Sequence, residues 1–118
     1  MRLKILFLFI FALSLTGCAT SNPYKNESSA LYDKALRQYN VGRYEEAKEY
    51  FHEYIANFPE SNLYPVALYY LGHCYQQLED YKQALLIYHK VISQADEGDF
   101  WAESARWRVQ QIKELESH

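Results

Sequence analysis

Glycine, proline and cysteine are scarce in this chain: four, three and two residues in 118. Such low glycine and proline exclude a collagen-like polymer and a low-complexity linker, and twenty aromatic residues, twelve of them Tyr, exclude a disordered chain. Two cysteines are too few for a disulfide framework. Positive charge is also lacking. A formal net charge of -3 offers no basic face to neutralise phosphates, which argues against a nucleic-acid binder. The long apolar run, Ile5 to Leu15, is broken only by Ser14 and is too short to span roughly 30 Å of hydrocarbon as a stable helix.

That run follows Met1-Arg2-Leu3-Lys4, so residues 1-17 read as an export signal with a positive start and an apolar centre. Leu15-Thr16-Gly17-Cys18 resembles the bacterial lipobox, in which small residues let a membrane peptidase cut just before a diacylglyceryl cysteine. The resemblance implies that Cys18 becomes the first residue and is acylated. An ordinary cleavage site, with Cys18 incidental or paired with Cys74, is the alternative. Removing Arg2 and Lys4 leaves ten basic against fifteen acidic side chains and moves the formal charge from -3 to -5. Each buried acyl methylene contributes about 0.8 kcal/mol, so two or three chains would hold the protein on a membrane. Ala19 and Thr20 follow the cysteine without the Asp that retains lipoproteins at the inner membrane of enteric bacteria, which points to the periplasmic face of the outer membrane. Residues 18-27 then form the lipidated cysteine and a tether of roughly 30 Å. Cys74, left without a partner, is expected as a small buried packing residue.

The chain matches itself at an offset of 37. The pairs are Leu31/Leu68, Tyr32/Tyr69, Ala35/Gly72, Tyr44/Tyr81, Ala47/Ala84, Phe51/Tyr88 and Ile55/Ile92. Within each copy apolar residues recur at helical spacing, as in Leu31, Ala35 and Tyr39 or Ala47, Phe51 and Ile55, so each copy is a helix, a turn and a second helix. Ser28 or Ser29 is expected to cap the first helix, and Asn40-Val41-Gly42 to stop it, since glycine takes a left-handed conformation without a steric cost. The second helix spans about Tyr44 to Asn57, ending before Pro59. Pro65 suits the first turn of the third. Asp80 caps the fourth, Ser93 to Asp99 is a loop, and Asp99 caps a fifth helix to about Leu115.

Leu68, Leu71-Gly72, Tyr75, Tyr81-Lys82-Gln83-Ala84 and Tyr88 in one copy, with Leu31, Ala35, Gly42-Arg43-Tyr44-Glu45-Glu46-Ala47, Phe51 and Pro59 in the other, resemble the tetratricopeptide repeat family. The resemblance implies an all-α fold of about two and a half helix-turn-helix repeats in a short right-handed solenoid of five helices, over residues 28-116. Lys34, Gln38 and Glu79 depart from the family pattern, Glu79 standing where the turn glycine is preferred. Ala105-Arg106-Trp107-Arg108-Val109 echoes Ala67-Leu68-Tyr69-Tyr70-Leu71, which makes the fifth helix a capping half-repeat with Trp101, Trp107, Val109 and Ile112 expected to face inward. Phe58-Pro59-Glu60-Ser61 and the segment Tyr64 to Gly72, together with the lipobox, are similar to periplasmic tetratricopeptide proteins, a group that includes the lipoprotein of the outer-membrane β-barrel assembly machinery and the Tol-Pal coordinator.

Chemistry finds little footing. His52 has no His-Glu-x-x-His spacing and reads as a solvated surface residue; His73 and Cys74, adjacent on one helix, point about 100° apart, which is poor geometry for a base and its nucleophile. His89 and His118 read as exposed. No phosphate loop, serine elbow or paired Cys-x-x-Cys occurs. The reading is therefore not an enzyme, with no metal and no cofactor expected.

The family resemblance instead implies a concave surface, lined by the first helix of each copy, that takes up peptides. Mapped onto this chain, that groove comprises Tyr32, Asp33, Leu36, Tyr39 and Asn40, then Tyr69, Tyr70, His73, Gln76 and Gln77, then Trp107, Arg108 and Gln111. Tyrosines there would offer rigid contact area with hydroxyls to spare, although Tyr32 and Tyr69 could equally be inter-helix packing. Glu45, Glu46, Glu49 and Glu53, with Lys48, form an acidic strip on the second helix, either a solvated face or a dock for a basic partner. The expected function is a lipid-anchored module that binds protein or peptide partners in the periplasm as accessory or scaffold of an envelope assembly. A pilotin-like or cell-wall-coordinating lipoprotein, working through its convex or end face, is the alternative.

Overall fold

The computed structural model describes residues 26–118, and the expected signal, Cys18 and the tether up to Lys25 lie outside these residues. Five helices follow in order: α1 (Glu27–Asn40), α2 (Tyr44–Asn57), α3 (Tyr64–Gln77), α4 (Tyr81–Gln94) and α5 (Phe100–Glu116). The boundaries of α1 and α2 recur 37 residues later in α3 and α4, so the sequence offset is the structural repeat. No strand occurs among the described residues, and no described helix is long and apolar enough to cross a membrane.

Local chemistry sets the helix ends. Asn26, not Ser28 or Ser29, caps α1: its Oδ1 accepts from the Ser29 backbone N–H at 2.8 Å. Both serines lie inside the helix because it begins at Glu27, one residue into the expected tether. Asp80 and Asp99 cap α4 and α5 through the N–H groups of Gln83 and Ala102. Pro65 occupies the first turn of α3, where an absent N–H costs nothing. Gly42 ends the α1 turn at φ +79°, and Glu79, 37 residues on, adopts φ +60° in the matching turn. The second copy therefore carries a left-handed residue with a side chain, costing about 1 kcal/mol.

Each helix packs on the next, and α3 also reaches α5. Helix α3 is buried on two sides, because Ala67, Leu71 and Cys74 join Ala35, Ala47, Phe51 and Tyr54 in one apolar cluster while Leu68 and Tyr69 join Ala84, Tyr88, Val91, Ala105, Val109 and Ile112 in another. Small residues let the helices approach. The fully buried Tyr54 and Tyr88 have satisfied hydroxyls: Tyr54 hydrogen-bonds Ser28 Oγ at 2.9 Å and Ser61 Oγ at 2.6 Å, and Tyr88 donates to Gln76 Oε1 at 2.7 Å. Unpaired, such groups would cost roughly 1–3 kcal/mol each.

Helix α5 repeats the buried register of α3 at an offset of 38: Ala105, Val109 and Ile112 fall where α3 has Ala67, Leu71 and Cys74. Its opposite side, matching the Leu68 and Gly72 positions that α3 buries against α4, carries Arg106 and Gln110, hydrogen-bonded to Glu103 and Glu114. A polar outer face is what a terminal repeat needs in water. Trp107 does not face inward as expected; it lies two residues, about 200°, from the buried Ala105 and is 57% exposed.

Candidate functional site

The helix register brings side chains of α1 against α3, and of α3 against α5, along one line of contacts. Tyr39 on α1 and Tyr70 on α3 meet edge to face at 4.8 Å, and Tyr39 also hydrogen-bonds His73. With the Gln77 amide nitrogen donating to His73 Nε2 at 3.1 Å, the ring proton sits on Nδ1 and is donated to the Tyr39 hydroxyl. The His73 pKa falls to about 4, chiefly because burial penalises the imidazolium, and next because the Arg108 guanidinium faces it. Burial likewise pushes the Tyr39 hydroxyl up, with Tyr70 adding to the effect.

One step along the stack, the equivalent positions carry other chemistry. By the repeat offsets Gln76 takes the place of Tyr39, and Arg108 that of Tyr70. Arg108 Nε donates to the Tyr69 hydroxyl at 3.2 Å, Nη1 donates to Gln111 Oε1 at 3.3 Å, and the guanidinium lies 5.0 Å from the Trp107 ring centroid. Two open cavities run along this seam. One, of about 410 Å³, is bordered by Tyr69, Phe100, Glu103, Ser104, Trp107 and Arg108. The other, of about 530 Å³, is bordered by Gln76, Gln77, Arg108, Gln111, Glu114 and Leu115 among others. Arg108 is common to both.

The residues expected in the groove therefore divide. His73, Gln76, Gln77, Trp107 and Arg108 come together along the α3–α5 seam, and Tyr39 and Tyr70 continue it toward α1. Tyr69 is 8% exposed and packs against Tyr88 and Trp101, with only its hydroxyl reaching Arg108. Tyr32 sits edge-on to Phe51 and Tyr54, and burial raises its pKa to about 12. Leu36 packs on the first apolar cluster, Asp33 is half-buried, and Asn40 is exposed at the end of α1. Phe100, Ser104, Glu114 and Leu115 were not in the expected set. The 38-residue offset of α5 was the signal for two of them, since it maps the expected groove residues Gln76 and Gln77 onto Glu114 and Leu115.

Away from the groove, His52 is not simply solvated: its Nε2 hydrogen-bonds the Tyr75 hydroxyl at 2.6 Å, and burial lowers its pKa. Lys48 bonds Glu45 at 2.5 Å and lies over the Tyr75 ring, which ties the acidic strip of α2 to α3. Cys74 is fully buried, and burial pushes its thiol up to about 12, suppressing the reactive thiolate. Among the described residues no group of three or more His, Cys, Asp or Glu side chains is placed to hold a metal ion.

Residues 41–105 match the family described as tetratricopeptide repeat. No curated protein gives a significant match to the chain.

Proposed function

The chain belongs to the tetratricopeptide repeat family, and from that premise we propose a lipid-anchored protein-interaction module at the periplasmic face of the outer membrane. Its repeats point to protein or peptide partners. We read it as an accessory or scaffold of an envelope assembly: the acylated Cys18 fixes the location and the groove selects the guest. The anchor rests on the charged start, the short apolar run and Leu15-Thr16-Gly17-Cys18. The observation that carries the binding role is the seam along α5, where Phe100, Trp107 and Leu115 are 68%, 57% and 59% exposed beside cavities that also hold polar side chains. Large apolar side chains at that exposure, rimmed by polar groups, mark interaction surfaces.

Affinity capture from envelope extract tests the reading when the full chain is compared with Trp107→Ala and Leu115→Ala. Partners should be lost from both variants. Capture that survives both, yet disappears when Glu45 and Glu49 become Lys, would move the partner site to the outer face of α2.

A further inference from the structure

Arg108 stands apart from the other charged groups of the groove. Among the described residues the neighbouring Arg106 pairs with Glu103, and Gln110 engages Glu114, whereas the contacts of Arg108 are with neutral groups: the Tyr69 hydroxyl, the Gln111 carboxamide and the Trp107 ring. Two of its five N–H groups are used. The remaining three, one on Nη1 and two on Nη2, form the fork that accepts a carboxylate in a bidentate way, at the junction of the two cavities.

We propose, building on the reading of this groove as a partner site, that it takes an extended peptide segment carrying a carboxylate side chain two residues from a large apolar side chain. The basin between Phe100 and Trp107, whose floor includes Ser104 and the Glu103 paired with Arg106, is centred about 7 Å along α5 from Arg108 at 1.5 Å per residue. Two residues of extended chain cover about 6.6 Å and return the side chain to the same face. An Asp or Glu on the arginine fork and a Phe, Leu or Tyr in the basin thus fit one strand in consecutive same-side positions. Beyond Arg108, the oxygens of Gln76 and Gln111 are occupied by Tyr88 and Arg108, leaving their N–H groups to donate to peptide carbonyls. The seam from Phe100 to Leu115 is about 22 Å long, room for roughly seven extended residues.

Selection of a displayed random heptapeptide library on the full-length chain in detergent micelles tests this. Selected peptides should be enriched about tenfold in an acid two positions from an apolar residue, as a charge-assisted pair implies. Arg108→Gln should remove the acid preference and keep the apolar one; Trp107→Ala should do the reverse. On the unsubstituted protein, changing Glu to Gln in the best peptide should weaken binding by a similar factor, a measurement that holds even where Arg108→Gln fails to fold. Peptides without an acid preference, or with one that persists in Arg108→Gln, overturn the proposal while leaving the groove reading intact if Trp107→Ala still weakens them. An empty selection, or peptides indifferent to both substitutions, overturns both.

Discussion

A Cβ atom built on Gly72 would lie 2.8 Å from Cε1 of Tyr88, closer than side chains approach in real structures. The α3–α4 crossing is set by this contact, since Tyr88 is fully buried and cannot move aside. Gly72→Ala should therefore destabilise the fold by about 1–3 kcal/mol despite the better helix propensity of alanine. Thermal unfolding would show it as a midpoint lowered by about 4–8 °C per kcal/mol. An unchanged or raised midpoint would mean that the helices are not locked at this point.

The two matching turns make a paired prediction. Gly42 and Glu79 both have positive φ, but only Glu79 carries a side chain there. Glu79→Gly should stabilise by about 0.5–1 kcal/mol, while Gly42→Ala should cost about the same. Urea midpoints of the two variants should move in opposite directions.

His73 gives the pH dependence a sign. Its folded pKa of about 4 lies below the unfolded value of 6.5, so the unfolded chain binds the proton first. Its contribution is complete above about pH 6.5 and is lost as pH falls toward 4, at up to about 1.4 kcal/mol per unit. Unfolding in urea at pH 7 and pH 5 should register the loss, and His73→Gln should flatten it. A pH slope unchanged in that variant would assign the effect elsewhere.

Cys18→Ser tests the anchor apart from the groove. The variant should no longer take up labelled fatty acid and should leave the outer-membrane fraction, since acyl chains on Cys18 are the proposed anchor. Fatty-acid labelling that persists in the variant would contradict lipidation at Cys18.

Much of the helical frame was legible in the sequence. The 37-residue offset located four helices; Gly42, Pro65 and Asp80 marked ends of these and Asp99 the start of the fifth, because capping and turn chemistry is local. What escaped depends on rotation between helices. Read from the repeat echo, Trp107 falls both among the inward residues of α5 and in the groove; the α5 register turns it outward. His52 shows no partner in sequence, since Tyr75 lies 23 residues away across the α2–α3 contact. The Tyr39–His73 and Tyr69–Arg108 bonds span 34 and 39 residues, distances over which a periodicity argument has no angular memory. Tyrosine content suggested a tyrosine-lined groove; burial assigned Tyr32 and Tyr69 to packing and left the exposed work to α5.

Photo-crosslinking in living cells shows which face of the stack meets a partner. A benzoylphenylalanine placed at Trp107, on the groove, should yield a discrete adduct with a partner protein, whereas the same group at Leu86, which is equally exposed at 57% on α4, should not. Adducts at Leu86 with none at Trp107 would show that the α3–α5 seam is not where this protein meets its partner.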